Sequence, residues 1–217
     1  MDLFELIKER KSCRVFLPDP VPEESVREIL SWAGKAPSAI NIQPWEFVVV
    51  TGKERKRLVE KLLKTHHEKK VSCGPGTSRP LPEPWIGRQR ELFAGMNRLA
   101  QENGPDLGTF IPEGSCRFYD APVVILVCLD QIFPPSRLLC LGMALGYFFL
   151  IAESRRLATC PIGLITAYDE EIKEHLNIPE EKQVVLGIAL GYADPSAAIN
   201  RFKSNREDIS SMTRWIA

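Results

Sequence analysis

The segment from Arg137 to Arg156 constrains the fold of this 217-residue chain more than any other, because it predicts a long helix that is apolar on nearly every side. Small residues stand within it at Gly142, Ala144 and Gly146. A helix that is hydrophobic all round must be covered by protein on more than one side. In a chain of this size we expect a partner subunit to cover the second side.

The same segment is too short to predict a membrane helix. Its uncharged run extends from Leu138 to Ala152, whereas a membrane-spanning helix needs roughly 20 apolar residues. The N-terminus, Met1 to Glu5, is acidic and amphipathic and shows no secretory signal. The sequence therefore predicts a soluble, cytoplasmic protein with no membrane partner.

Short apolar runs rich in β-branched residues predict the strands. They lie at 46–51, 121–129 and 184–192. The run at 121–129 is almost purely apolar, which is typical of a strand buried on both faces. We therefore expect it at the centre of a sheet.

Helical spacing of apolar residues predicts one helix over 22–33 and a charged one after Thr51. Asp169 is predicted to cap a further helix that begins at Glu170. Strands and helices alternate without an internal repeat or a domain boundary. The pattern alone therefore predicts a single α+β or α/β domain over residues 1–217.

Residues from about 72 to 115 differ in character and predict an insertion. Gly74-Pro75-Gly76 and the prolines that follow predict a loop that joins neither a helix nor a central strand. Residues 88–103 again have helical spacing. Long insertions in compact domains commonly serve as lids or substrate walls, which is the role we expect here.

Composition excludes several classes of protein. The chain carries 28 Lys+Arg against 28 Asp+Glu, so no overall charge attracts nucleic acid and a basic site has to be local. With 44% hydrophobic and 26% charged residues it matches the globular average, which argues against disorder, collagen and coiled coil. Its six cysteines form no Cys-x-x-Cys pair and its three histidines complete no zinc pattern, so we expect no metal site.

Three segments carry residues suited to binding. Arg10-Lys11-Ser12-Cys13-Arg14 places three cations and a hydroxyl directly after a short helix, although a solvated helix end has the same composition. The run from Ala36 to Trp45 joins a helix stop to polar amides and then a strand, which ordinary turn chemistry also explains. Lys203-Ser204-Asn205-Arg206 lies in a polar, basic tail.

Taken together, these segments resemble the FMN-dependent nitroreductases. The N-terminal part of the resemblance is Arg10-Lys11-Ser12-x-Arg14-x-Phe16, then Pro18 and Pro20-Val21, then Ala36-Pro37-Ser38-x-x-Asn41-x-Gln43-Pro44-Trp45. It continues at Thr159-Cys160-Pro161-Ile162-Gly163, at Gly187-Ile188-Ala189-Leu190-Gly191-Tyr192 and from Asn200-Arg201-Phe202 to Arg206. The resemblance covers about residues 3–60 and 120–215, and the motifs occur in the family's order at both ends of the chain.

The resemblance implies an α+β, nitroreductase-like fold in which helices wrap a mostly antiparallel central sheet. It also implies an intertwined homodimer with two FMN sites at the interface, each built from both chains. The apolar helix at 137–156 suits that arrangement. The implied cofactors are tightly bound FMN and NAD(P)H as a transient electron donor, and the absence of a Gly-x-Gly-x-x-Gly fingerprint agrees with transient binding.

The resemblance further assigns residues to the flavin phosphate. Arg10 and Arg206 would clamp it, because a guanidinium offers a planar fork to phosphate oxygens. Three more residues would lie nearby: Lys11, Ser12 and Ser204. Relatives often carry lysine at the position of Ser204, and Lys203 stands beside it, so either residue is a candidate for the contact.

Other residues are implied at the flavin ring and the ribityl chain. Arg14 would lie by the pyrimidine edge, where a cation favours the anionic reduced ring. Asn41 and Gln43 would supply amide contacts. The residues that would pack along the cofactor are Pro37, Ser38 and Ala39. The segment over the other side of the ring, with a backbone N–H for N5, would be Pro161, Ile162, Gly163 and Leu164.

The implied reaction is a ping-pong transfer of electrons from NAD(P)H through FMN to a flat acceptor such as a nitroaromatic or a quinone. No side chain needs to act as a nucleophile, since the cofactor carries the chemistry. The insertion residues Trp85, Arg88, Arg90, Phe93 and Phe110 are candidates for a substrate wall, or for the insertion's own small core. Relatives of the same fold dehalogenate aromatic substrates or fragment flavin, and a flavin-binding protein with little turnover is a further alternative.

Overall fold

The structure is a computed structural model and describes residues 2–71, 77, 79–100 and 106–216. The strands are β1 (Trp45–Thr51), β2 (Val123–Asp130), β3 (Ala158–Ile162) and β4 (Lys182–Gly191). The α-helices are α1 (Leu3–Glu9), α2 (Glu23–Ala33), α3 (Gly52–Lys69), α4 (Glu83–Ala100), α5 (Leu107–Cys116), α6 (Leu138–Ser154) and α7 (Asp169–Leu176). Short 3₁₀ turns occur between them.

The strands form one antiparallel sheet in the order β1-β2-β4-β3. The sheet confirms the predicted α+β class and the central position of the strand predicted at 121–129. The strand β3 was not predicted, because its residues had been recognised only as part of a motif. A five-residue strand that contains Pro161 has little β-forming signal of its own and depends on its pairing with β4.

Both faces of β2 are buried, and each face belongs to a different core. Since successive side chains of a strand point to opposite faces, Val124 and Leu126 enter one core while Ile125 and Val127 enter the other. Residues of α3, α5 and α7 cover the first core, and residues of α2 and α6 cover the second. The result is a sheet with helices on both sides.

One face of α6 packs inside the molecule and the other is uncovered in a single chain. Its buried residues are Cys140, Leu141, Ala144, Phe148 and Ala152. On the opposite face Leu139 is 73% exposed, and Leu138, Met143 and Tyr147 are also exposed. The chain thus covers one side of the helix that the sequence predicted to need two.

By length and composition alone, the helical segment Pro135–Ser154 is able to cross a membrane. It is 20 residues long, which is longer than the uncharged run on which the sequence prediction rested. The core helix of a soluble protein passes the same test. Here α6 packs mainly on α2 and also contacts α1, β1 and β3, and 28% of its apolar window is buried in the single chain.

The predicted insertion contains two helices, and its described part corrects two expectations. Pro84 was predicted to lie in a loop, but it lies in the first turn of α4, where a missing backbone N–H costs nothing. The sequence predicted a single helix within the insertion, but the structure adds a second one, α5, whose N-cap Asp106 accepts a hydrogen bond from the backbone N–H of Thr109. Gly74-Pro75-Gly76, and the predicted end of the helix at 103, lie outside the described residues.

Asp169 does not cap the helix that follows it. It is the first residue of α7, and its carboxylate accepts a hydrogen bond of 2.7 Å from the backbone N–H of Val184 in β4. The carboxylate also pairs with Lys173 at 2.8 Å. A contact with a strand so far along the chain carries no local sequence signal, so the capping prediction was wrong.

Gly187 provides a test of this packing, since a Cβ at this position of β4 would lie 2.8 Å from both Ile165 and Phe118. We expect Gly187→Ala to lower the free energy of unfolding by about 1–3 kcal/mol, because the surrounding core has to shift. The matched control is Gly87→Ala in α4, where no described atom lies within 4 Å and alanine should stabilise the helix by about 0.5–1 kcal/mol. Urea denaturation measures both, and equal midpoints for the two variants would contradict the packing described.

Candidate functional site

The N-terminal segment that carries the first binding motif runs along the edge of the sheet beside β3. Ser12 forms a parallel bridge with Thr159, and the backbone N–H of Cys13 donates to the Thr159 carbonyl at 2.9 Å. Phe16 then bridges to Ala193, just after β4. Two motifs that are almost 150 residues apart in the chain therefore lie side by side.

Arg14 is the charged group of this edge. It is half-buried; its Nη1 donates to the Ser12 carbonyl at 3.4 Å, while its Nε is buried and has no hydrogen-bond partner among the described residues. Burial raises the pKa of both Tyr119 and Cys160 to about 12, and in each case the nearby charge of Arg14 opposes the shift. A buried guanidinium donor that is left unsatisfied fits an acceptor atom supplied by a ligand.

The cysteine thiols at this edge are protonated at neutral pH. Burial raises the pKa of the Cys13 thiol to about 11 and that of the Cys160 thiol to about 12. Since the thiolate is the nucleophilic form, neither residue is suited to covalent catalysis. The described residues also contain no cluster of His, Cys, Asp or Glu able to hold a metal ion.

Cations from both ends of the chain gather where α1 and α6 end. Arg10 follows α1 and lies over the ring of Phe149 at 5.8 Å, and the Lys203 amine lies 3.6 Å from the carboxylate of Glu9. Burial raises the pKa of Glu153, and the charges of Lys11, Arg10 and Lys203 oppose this shift. The structure therefore brings Arg10, Lys11 and Lys203 together at this corner, whereas the predicted partner of Arg10 was Arg206.

Ser204 and Arg206 lie slightly apart from this group. The Nη1 atom of Arg206 donates to the Ser204 hydroxyl at 2.7 Å and to the carbonyls of Ser204 and Asn205. These residues line a cavity of about 980 Å³ between α4 and the segment 201–208. Arg206 is exposed in the single chain and its guanidinium is turned onto its own segment.

The tail is joined to the insertion at this cavity. Arg88 in α4 pairs with Glu207 at 3.0 Å, and the Phe202 ring packs so closely on Gly95 that a Cβ there would lie 2.7 Å away. Of the candidates for a substrate wall, Phe110 is packed between two cores, which favours the alternative of an internal core for that residue. Trp85 is 51% exposed and remains a candidate for the wall.

The loop before β1 holds itself in a strained turn. Ile40, Asn41 and Gln43 all have left-handed backbone, with φ of 51°, 57° and 48°. The Ser38 hydroxyl accepts from the Gln43 backbone N–H at 3.0 Å, and the Gln43 side chain donates to Asn41. Pro37 and Ala39 are exposed in the same loop. Such strain in a surface loop is typical of a functional segment.

Within one chain this loop lies at the opposite corner of the sheet from Arg14. Trp45, at the start of edge strand β1, pairs with Leu129 of β2, which in turn pairs with Gln183 of β4. Thr159, on the other edge strand β3, pairs with Leu190 of β4. The separation between these positions along β4 is roughly 23 Å, at about 3.3 Å per residue, with the width of the sheet in addition. A single chain therefore does not bring together residues 37–43 and residues 10–14, which were predicted to bind the same flavin.

The end of β3 lies next to the Arg14 segment. Pro161 and Ile162 pair with Ile188 and Gly187, and Gly163 and Leu164 follow at the turn. The side chain of Ile162 is buried in the core, so only its backbone faces the edge. Any hydrogen bond from this segment to a ligand therefore comes from the main chain.

Known proteins match nearly the whole of this chain. The family model described as the nitroreductase family matches residues 7–192. The chain belongs to the nitroreductase family. The chloronitrobenzene nitroreductase of Comamonas testosteroni is 33% identical over 218 aligned residues, which cover 98% of this chain and 96% of that protein. The crystal structure of the FMN-dependent nitroreductase NfnB from Mycobacterium smegmatis in complex with NADPH has a TM-score of 0.88 and 30% identity, and the match covers both chains completely.

Membership of the nitroreductase family confirms the resemblance inferred from the motifs. The sequence identities also bear on the alternative of a dehalogenating enzyme. An iodotyrosine deiodinase from Thermotoga neapolitana is 27% identical, over 88% of this chain and 89% of that protein. This dehalogenating relative is thus less similar to the chain than the chloronitrobenzene nitroreductase is. The assignment of single residues to a cofactor stays a prediction.

One residue at the site was missed. Asn200 is buried in the tail and hydrogen bonds to the backbone of Arg14 and Val15. The sequence placed Asn200 in the tail motif, but it contained no sign that this residue, unlike those that follow it, turns inward. Only the contact across 186 positions in the chain gives it a role.

Proposed function

We propose that this nitroreductase-family protein is an FMN-dependent oxidoreductase that passes electrons from NAD(P)H to a nitroaromatic, a quinone or a similarly flat acceptor. The observation that carries the proposal is the buried, unsatisfied Nε of Arg14 beside the end of β3, in a chain whose relatives are named as FMN-dependent nitroreductases. When bound, FMN supplies the hydride and electron chemistry. The residues of this chain bind, orient and tune it.

Arg14 would hold the negative charge of the reduced cofactor. A preorganised cation in a half-buried site stabilises developing charge far better than the same cation in water. Because its Nε lacks a partner, Arg14 can donate this N–H to the ligand while its Nη1 keeps the bond to the Ser12 carbonyl. The adjacent thiols of Cys13 and Cys160 stay protonated, so no covalent step on the protein is required.

The phosphate would lie among the cations from both ends of the chain. Arg10, Lys11 and Ser12 supply one side, and Ser204 and Arg206 supply the other. Lys203 and Ser204 both remain candidates for the phosphate contact, because Lys203 lies with Arg10 and Lys11 while the Ser204 hydroxyl contacts Arg206. Arg206 would turn from its own segment towards the phosphate, exchanging neutral acceptors for a charged one.

The active form would be a homodimer with each site built from two chains. Asn41 and Gln43, together with Pro37, Ser38 and Ala39, lie too far from Arg14 in one chain, so a second copy would supply them. The apolar face of α6 supplies a surface for that copy, and the tail side chains Ile209, Met212, Trp215 and Ile216 are exposed as well. A symmetric pair of subunits would cover both.

Two further assignments belong to this proposal. The insertion at 72–115 would act as a lid or substrate wall, with the exposed Trp85 at its surface. A cytoplasmic location is supported by the free cysteines of the described chain, since thiols persist in reducing compartments.

The direct test is the spectrum of the purified protein. We expect a yellow protein that releases FMN on denaturation, and whose flavin absorbance bleaches on anaerobic mixing with NADH or NADPH. Bound FMN that is not bleached would instead indicate a flavin carrier. A colourless protein that refuses added FMN would overturn both functions.

Substitution of the two assigned arginines should separate binding from chemistry. Arg206→Ala should weaken FMN binding by about tenfold or more, because a charge-assisted hydrogen bond contributes about 1.5–3 kcal/mol. Arg14→Ala should slow flavin reduction by about 10²-fold and weaken binding less. Fluorescence titration and stopped-flow absorbance measure the two effects, with the exposed Arg57→Ala of α3 as the control. Equal losses in both properties for Arg14→Ala would make it only an anchor.

The dimer is tested at the uncovered face of α6. We expect Leu139→Glu to convert the dimer to a monomer in analytical ultracentrifugation and to lose FMN with it, since a charge in an apolar interface has no partner. Lys64→Glu, which introduces the same residue at an exposed position of α3, should leave the dimer intact. A wild-type monomer that binds FMN would contradict the proposal.

A further inference from the structure

The side-chain amide of Asn200 bonds mainly to the segment that carries Arg14, and it also bonds to Asp194 after β4. Its Oδ1 accepts from the backbone N–H groups of Arg14 at 2.8 Å and Val15 at 3.2 Å. Its Nδ2 donates to the carbonyls of Val15 at 2.7 Å and Asp194 at 3.0 Å. The residue is 5% exposed, so these bonds are shielded from water.

The geometry shows what this amide replaces. On one side of the segment, the Cys13 N–H pairs with Thr159 of β3. On the other side, the N–H groups of Arg14 and Val15 have no strand to bond to, and buried backbone groups left without partners are costly. A single side chain stands in for a strand and holds the backbone of Arg14 in place.

Asn200 is also the point at which the tail is anchored. It lies in the turn Ala198–Arg201, ahead of Ser204 and Arg206, and none of residues 201–216 is buried. Between these positions Phe202 packs against Gly95 of α4. Asn200 therefore anchors the tail with the same side chain that holds Arg14. The proposed phosphate contacts of the tail and the proposed ring contact of Arg14 both depend on this residue.

We propose that Asn200 is a positioning residue of the active site, whose amide fixes the Arg14 guanidinium relative to the flavin ring and registers it with the phosphate-binding tail. This inference rests on the proposed FMN-dependent function and deepens it. Asn200 acts through Arg14 and touches no reacting atom. The amide is specifically required, because the position needs an acceptor for two N–H groups and a donor for two carbonyls on one planar group.

Asn200→Asp gives a readout that a purely structural role would not move. One carboxylate oxygen still accepts from Arg14 and Val15, but the other faces the carbonyls of Val15 and Asp194 and has no proton to donate. Protonation of the new carboxyl restores one hydrogen bond to these carbonyls. The variant that holds Arg14 correctly is therefore the protonated one, which is present below the pKa of the new carboxyl and is lost as the pH rises through that pKa. Burial and the facing carbonyls raise that pKa, and the N–H donors of Arg14 and Val15 oppose the shift.

Other charged or titratable groups face Asn200. The Cys13 thiol donates to its Oδ1 at 3.4 Å, and burial raises the pKa of Cys13 to about 11, so this thiol stays protonated between pH 5.5 and 8. Arg14 lies on the N-terminal segment, and the Asp194 carboxylate follows β4. Across a cavity of about 420 Å³ that Asn200 lines, the charged residues are Lys11, Glu153, Arg156, Asp194 and Arg201. The wild-type enzyme at each pH carries all of them unchanged, so the ratio of variant to wild type isolates position 200.

The experiment compares the wild-type holoenzyme with Asn200→Ala, Asn200→Asp and the control Asn177→Asp, an exposed asparagine after α7. For each we would measure FMN affinity, the rate constant of anaerobic flavin reduction at saturating NADPH, the midpoint potential of bound FMN and the thermal midpoint. Asn200→Ala should reduce flavin about tenfold more slowly or worse, with a more negative potential. The reduction rate and potential of Asn200→Asp should match those of Asn200→Ala at pH 8 and recover towards the wild-type values at pH 5.5. The control Asn177→Asp should follow the wild type at both pH values.

Several outcomes would overturn the proposal. Reduction rates and potentials like those of the wild type in both Asn200 variants would show that Arg14 is positioned without the amide. A fall in thermal midpoint and affinity with no pH-dependent recovery in Asn200→Asp would show that Asn200 only stabilises the fold. If Asn200→Ala does not fold, the pH profile of Asn200→Asp decides alone. A wild-type protein that takes up no FMN would overturn the proposed function itself, and this inference with it.

Discussion

The burial of β2 on both faces is the constraint on which the rest of the structure depends. A strand without an exposed face requires helices on both sides of the sheet, and the alternation of its side chains divides the interior into two cores. α3, α5 and α7 serve one core, and α2 and α6 serve the other. The positions of the remaining strands follow, because β1 and β4 pair with the two sides of β2.

That arrangement leaves β1 and β3 as the edges, and the proposed site would use residues from both. The N-terminal segment adds to β3, and the strained loop of residues 38–43 precedes β1. Because these edges are on opposite sides of one sheet, the residues that the family resemblance assigns to one flavin do not meet in one chain. The uncovered face of α6 agrees with the proposed homodimer, because a second copy of the chain would account for both features.

The sequence predicted those parts of the fold and the site that depend on local pattern. The apolar run at 121–129 predicted the central strand, helical spacing predicted α2 and α3, and the ordered motifs pointed to the family. It failed where a partner distant in the chain decides the outcome. Asp169 bonds to β4 instead of capping α7, the short strand β3 exists because β4 pairs with it, and α5 forms because it packs against α3 in the core.

By itself, the sequence determined the α+β class, the family and the chemical identity of the binding groups, because periodicity, hydrophobicity and side-chain charge are local properties. Only the tertiary structure decided how those groups are placed. It showed that Arg14 has an unsatisfied donor, that Arg10 lies over Phe149 of α6 and Lys203 pairs with Glu9 of α1, and that Asn200 is buried at the start of an exposed tail. The physical reason is that burial and hydrogen-bond partnership belong to pairs of residues, and here the partners are more than 180 positions apart.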